Sequence, residues 1–279
     1  FEKQFQEDVV DYFVGEYERG RTPNPCLACN EHIKYRALLD RALALDAAYL
    51  ATGHYARVRQ TDSGFQLLRA VDAGKDQSYV LYTLGQAEMA KTLIPVGGYS
   101  KPEIRALAAE MRLGLADKPD SADICFVPDG DYKAFVRART PAAAGVIVDR
   151  AGDIVGEHDG VAGFTVGQRR GIGIATGEKR FVTAIDPARQ VVTIGSEDDL
   201  MSRDLVAERV NWLAGSPPDA PIRCDVKIRY RTPAASATVT PHADGSAHVT
   251  FDRPQRAITP GQAAVFYAGD EVLGGGGIR

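Results

Sequence analysis

The chain has 279 residues, 44% hydrophobic and 25% charged, a length for two or three packed units and a composition that excludes a disordered chain. Its 33 Lys and Arg stand against 37 Asp and Glu, a net charge of −4, so nucleic-acid contact must come from local basic patches rather than the overall field. Four cysteines are too few for a secreted disulfide scaffold, and no apolar run reaches the ~20 residues of a membrane span. A cytoplasmic protein with no membrane partner is expected.

Phe5, Val9, Val10 and Phe13 fall at helical spacing from the outset, as if a domain had begun upstream. A stiff loop, Gly20-Arg21-Thr22-Pro23-Asn24-Pro25, leads to Cys26 and Cys29. Asn30 can cap a helix from 31 to about 45, with Ile33, Ala37, Leu38 and Ala42 on one face. Residues 47–51 read as a short buried strand stopping at Thr52-Gly53-His54. A strand directly after a helix marks a parallel α/β sheet, whose ligands sit beyond the carboxyl ends of the strands, so Gly53 falls at a ligand edge. Helices are predicted over 78–84 and 102–112, the second with Ser100 as its cap and Pro102 in its first turn.

After Asp129 the pattern turns to short β segments at 145–149, 164–166, 181–185 and 190–194, separated by turn dipeptides such as Ala151-Gly152 and Asp186-Pro187. A third unit begins near Arg203, with strands at 224–230, 237–240, 248–251 and 263–267 at the even spacing of a small barrel. The predicted organisation is an α/β unit over 1–128, a small β-rich unit over 129–200 and a β-barrel over 201–279.

Thiolate is the reactive form of cysteine and a helix N-terminus lowers a thiol pKa, so Cys29, placed ahead of the predicted helix, suits a nucleophile. A C-x-x-C pair is equally a zinc half-site or a redox pair. The remaining ligands of a zinc site are missing, because Cys125 and Cys224 are isolated and no second C-x-x-C or paired His follows, so no metal is expected. Cys125, between Ile124 and Phe126, reads by default as a buried small hydrophobe, as does Cys224 within a strand pattern. His54 either orients a ligand or bonds its own loop. Lys75-Asp76-Gln77 suits helix capping as well as it suits holding a phosphate and a base edge. Two basic clusters stand out: Arg169-Arg170 with Lys179-Arg180, and Arg223, Lys227, Arg229 and Arg231. Arg229-Tyr230-Arg231 combines guanidinium and ring, the mixture that grips RNA phosphate and stacks on unpaired bases, although solvated faces carry the same residues.

Six segments taken together, 20–30 (GRTPNPCLACN), 51–57 (ATGHYAR), 75–79 (KDQSY), 120–126 (DSADICF), 165–171 (TVGQRRG) and 260–267 (PGQAAVFY), resemble the bacterial tRNA-specific 2-thiouridylases in order and spacing, nearly end to end. The resemblance implies a partial Rossmann-like α/β domain of the adenine nucleotide alpha hydrolase type, followed by a β-rich central domain and a C-terminal barrel. It implies replacement of the C2 oxygen of the wobble uridine of certain tRNAs by sulfur. ATP, with Mg, adenylates that oxygen so that AMP can leave. The implied partners are tRNA and a persulfide-donating sulfur-relay protein or cysteine desulfurase.

On the same resemblance Cys125 carries the persulfide, and Cys29 is the nucleophile left disulfide-bonded to it. Asn24, Pro25 and Cys26 contact the target base, Gly53 meets ATP, and Lys75, Asp76, Gln77, Arg229 and Tyr230 contact tRNA. Two departures stand out. Many relatives have Asp where Cys26 stands, and the family's Ser-Gly-Gly-x-Asp-Ser pyrophosphate loop is absent from this sequence, so the chain alone is expected to bind ATP poorly and turn over little. The competing readings are a tRNA-binding module without chemistry and a thiol–disulfide oxidoreductase using Cys26 and Cys29.

Overall fold

The computed structural model describes residues 1–114, 124–141, 143–174 and 177–279; positions 120–123 of the fourth segment lie outside them. The opening apolar spacing forms the predicted helix over 2–18, which buries Val9, Val10, Phe13, Val14 and Tyr17 on one side. The second helix, over 25–43, starts earlier than the sequence suggested. Its N-cap is Asn24, not Asn30: the Asn24 side chain accepts from the Cys26 N–H at 3.1 Å, and Pro25 takes the first helical position, where no N–H is needed. Asn30 is buried within the helix, and its Nδ2 donates to the Val80 carbonyl at 2.9 Å.

The strand expected at 47–51 shortens to Leu50–Ala51, paired in parallel with Thr92–Leu93. Residues 78–84 form a single 3-10 turn, Ser78–Leu81, rather than a helix. Lys101–Glu110 is helical as predicted, with Ser100 and Glu103 closing a reciprocal cap and Pro102 in the first turn. The sequence reading missed the antiparallel hairpin Ala56–Thr61 with Gly64–Arg69, which joins the barrel sheet where Leu68 pairs with Glu271.

The central unit is a four-stranded sheet in the order Ile154–His158, Gly145–Val148, Val191–Gly195, Phe181–Asp186. Only the middle pair is parallel. Residues 164–166 are not a strand; Phe164 leaves a 3-10 turn and packs into this unit's core with Ile147, Val182 and Val192.

The C-terminal barrel closes on six strands: Met201–Trp212, Ile222–Lys227, Ala235–Pro241, Ala247–Arg256, Ala263–Ala268 and Glu271–Ile278. Strand Ala263–Ala268 is apolar on both faces because both are covered. Ala264 and Phe266 enter the barrel core, while Ala263, Val265 and Tyr267 face Tyr79, Leu81 and Leu84 outside it. The next strand carries four consecutive glycines, and a Cβ at Gly275 would lie 2.8 Å from both the Ala264 carbonyl and the Tyr82 ring. No helix among the described residues is long and apolar enough to cross a membrane.

Tyr79 is fully buried where the α/β unit meets the barrel; its hydroxyl donates to the Ala263 carbonyl at 2.9 Å and accepts from the Ala263 N–H at 3.2 Å. Tyr79→Phe is expected to lower stability by roughly 1–3 kcal/mol by leaving buried backbone groups short of a partner. The measurement is the urea midpoint, which should fall with an unchanged denaturant slope; a midpoint equal to the parent's contradicts this role.

Candidate functional site

The proline loop that carries the thiols is strapped to the barrel. The Thr22 N–H donates to the Pro260 carbonyl at 2.8 Å, and Gln262 Nε2 donates to the Thr22 carbonyl at 2.7 Å. Thr22 Oγ1 lies 3.4 Å from Thr165 Oγ1, and Arg21 pairs with Glu16 at 2.9 Å while donating to the Ile278 carbonyl. Segments 20–30, 165–171 and 260–267 thus meet at one corner. Segments 51–57 and 75–79 are joined by a reciprocal pair: Tyr55 N–H to Gln77 Oε1 at 2.9 Å and Gln77 N–H to the Tyr55 carbonyl at 2.7 Å.

Cys26 is exposed in the first turn of the thiol helix, and Cys29 lies half-buried one turn further on. Cys125 is exposed in a turn, contrary to its default reading as a buried hydrophobe. Its neighbour Phe126 makes ring contacts with Phe13 and Phe135, each at 5.4 Å, so that side chain goes inward and the thiol outward. All four cysteines are free. Cys224 sits half-buried in its strand, as read, and burial pushes its thiol up to about 12.

Burial also raises the Cys29 thiol above its ordinary value; the Lys34 charge opposes this rise, and negative charge on Cys125 would add to it. The same order of causes acts on Cys26. The lowered pKa expected at Cys29 is therefore not found. Cys29 lies past the first turn, beyond which the helix-terminal field fades, and it is desolvated.

Lys34 is the residue that sequence reasoning missed. It lies five positions after Cys29, which in an ordinary α-helix points well away, but Cys29–Leu38 is π-wound and its wider turn brings the two positions together. Lys34 Nζ is 3.3 Å from His54 Nε2. Burial, with the Lys34 charge, lowers His54 to about 4, so the ring is neutral at physiological pH. With Lys34 donating to Nε2, the ring proton is assigned to Nδ1, 3.0 Å from Thr52 Oγ1. Of its two readings, His54 takes the one that bonds its own loop. Gly53, exposed two residues past Leu50–Ala51, has open space where a Cβ would stand.

Several residues expected to contact RNA are engaged within the protein. Asp76 is buried and accepts from the Ala70 and Ser78 N–H groups and from Ser78 Oγ at 2.9 Å. Arg229 lies beyond the end of its strand and donates to the Val166 and Ala257 carbonyls and to Thr259 Oγ1, linking the central unit to the barrel. Arg223 forms a two-pronged exposed pair with Asp252 at 2.8 and 2.7 Å, which fits a solvated face. Tyr230 is half-buried, 6.1 Å from the Tyr79 ring, with Lys227 Nζ 5.6 Å from its own ring and Cys26 within electrostatic reach. In the central unit, Arg169, Lys179 and Arg180 line an open cavity of about 560 Å³. Among the described residues no three His, Cys, Asp or Glu side chains converge as a metal site requires.

Residues 1–129 match the tRNA methyl transferase HUP domain, 133–196 the tRNA methyl transferase PRC-barrel domain and 202–278 the aminomethyltransferase beta-barrel domain. Over its whole length the chain is 49% identical to the tRNA-specific 2-thiouridylases MnmA of Roseiflexus sp. strain RS-1 and Roseiflexus castenholzii, spanning 80% of each. It is also 49% identical to the enzyme of that name from Solibacter usitatus, of which it spans 78%. Three domain matches in sequence, identity from end to end and an α/β unit followed by a β-rich domain and a closed barrel lead to one conclusion: the chain belongs to the tRNA-specific 2-thiouridylase family.

Proposed function

We propose that the chain catalyses 2-thiolation of the wobble uridine of tRNA, with Cys29 as nucleophile and Cys125 as persulfide carrier. The observation that carries this reading is the approach of two thiols far apart in sequence, both free and within each other's electrostatic reach. The terminal sulfur of a Cys125 persulfide attacks C2 of the base, and the C2–O bond breaks as the activated oxygen departs with AMP. Cys29 thiolate then attacks Cys125 Sγ, the S–S bond breaks with the delivered sulfur left on C2, and the two cysteines end as a disulfide. Exposed Cys125 takes its sulfur from a persulfide-donating protein in a reducing cytoplasm.

Asn24, Pro25 and Cys26 are proposed to receive the extruded base. The buried Pro25 and the capped Asn24 side chain make this a rigid floor. The open face over Gly53 fits a nucleotide approaching the backbone at a strand end, and ATP bound there would supply the activation that turns the C2 oxygen into a leaving group. The division at 128 and 200 assigns chemistry to the first unit and RNA contact chiefly to the other two. In the segments proposed to touch tRNA, the Asp76, Gln77 and Arg229 side chains hold the backbone, and Lys75, Tyr230 and main-chain groups are proposed to meet the RNA.

Given unmodified tRNA, ATP and a persulfide donor, a form extended to its relatives' full length should make 2-thiouridine. Product should fall to background in Cys29→Ser and in Cys125→Ser; undiminished product in either variant overturns the assignment and leaves an RNA-binding role.

Lys75→Ala should weaken tRNA binding and reduce its salt slope by about 1, whereas Tyr230→Ala should weaken it by ~1–3 kcal/mol at every salt concentration. Equal affinities across a salt series would assign both residues to an ordinary solvated surface.

Because Cys29 is raised above its ordinary value, its thiolate is a minor species at neutral pH, and alkylation should accelerate about tenfold per pH unit until that raised pKa is reached. Lys34→Met removes the opposing cation and should displace the iodoacetamide-labelling profile of Cys29 to higher pH. An unmoved profile would show that Lys34 does not assist this thiol.

A further inference from the structure

Cys26 has no part in the sulfur transfer described above, yet it is a third free thiol at the same corner. It shares a helical turn with Cys29, whose N–H is bonded to the Cys26 carbonyl. Side chains three positions apart on a helix stand about 5–6 Å apart at Cβ, so a modest local adjustment meets the ~3.5–4.5 Å Cβ separation of a disulfide. By residue area Cys26 is the more exposed of the two, although its thiol, like that of Cys29, is partly desolvated by its surroundings.

We propose that Cys26 is a resolving thiol, which attacks Cys29 of the Cys29–Cys125 disulfide, returns Cys125 to its thiol and leaves a Cys26–Cys29 bridge. This rests on the sulfur-delivery reading above. The Cys29–Cys125 bond breaks as the Cys26–Cys29 bond forms, and the electron pair leaves on Cys125 Sγ. That sulfur takes up a proton in place of the one Cys26 gave up, so the exchange involves no net oxidation. A dithiol or small thiol reductant from solution then opens the new bridge by two-electron reduction at the Cys26 sulfur. The benefit is separation of tasks: Cys125, exposed on its own turn, is ready for another persulfide before any reductant has arrived.

The test treats the reduced chain and its Cys26→Ala variant with limiting diamide, followed by timed acid quenching, alkylation and tryptic mapping. Trypsin leaves Cys26 and Cys29 together on peptide 22–34. In the parent the internal bridge should predominate over the Cys29–Cys125 link by about tenfold, with Cys125 alkylated. The variant should instead hold a Cys29–Cys125 link. A parent that settles as Cys29–Cys125 with Cys26 alkylated overturns the exchange while leaving sulfur delivery intact. A variant in which Cys29 and Cys125 never link overturns the sulfur-delivery reading, and the exchange with it.

Discussion

The position of the thiols depends on the strap between Thr22 and the Pro260–Gln262 turn, a pair of hydrogen bonds between residues some 240 positions apart. Each bond contributes only about 0.5–1.5 kcal/mol net. Their leverage comes from what they hold, since Pro23 and Pro25 are buried and conformationally restricted, so fixing Thr22 fixes where the following helix begins. Gly261 makes the approach possible: at φ +89° it tolerates the turn, and a Cβ there would stand 2.9 Å from the Thr22 nitrogen. The helix start in turn sets Cys26 within electrostatic reach of Tyr230 and Cys29 one turn further along.

A second junction repeats this design with charge. Arg229 is largely desolvated, which lowers its pKa, and one terminal nitrogen of its guanidinium donates to oxygens of Val166, Ala257 and Thr259 rather than to a carboxylate, while its buried Nε has no partner. Neutral oxygens accept several donors in a set geometry, so the arginine acts as a joint between the central sheet and the barrel. The side chains of Asp76 and Gln77 do the equivalent for the turn ahead of Tyr79. A polar residue in a segment proposed to bind nucleic acid therefore need not point at the nucleic acid; holding its backbone in place is an alternative use of the same chemistry.

The barrel, the central sheet and the capped helix after Ser100 were readable from alternation, turn dipeptides and a Ser-x-x-Glu signature, because local pattern decides those elements. The missed elements depend on partners distant in sequence. Strand Glu271–Ile278 contains four glycines, poor strand formers alone, which are there because the Tyr82 ring and neighbouring carbonyls leave no room for side chains. The hairpin at 56–69 lay within an α/β pattern and is claimed by a barrel strand. At the site, the C-x-x-C pair and Cys125 were visible as candidates, but the helix start was misplaced because Asn24 and Asn30 are equally good caps on composition. Lys34 escaped notice because only a widened helical turn brings it under Cys29.

The pairing of Leu68 with Glu271 and the strap from Thr22 to Gln262 share a temporal consequence. A ribosome makes the thiol helix and the 56–69 hairpin well before the strands that hold them, which follow about 200–240 positions later. Until then the hairpin presents an unpaired edge and the proline loop lacks its contacts with the barrel. Contacts of such long sequence separation form slowly. The thiol corner is therefore assembled only once synthesis has passed the barrel's closing strand.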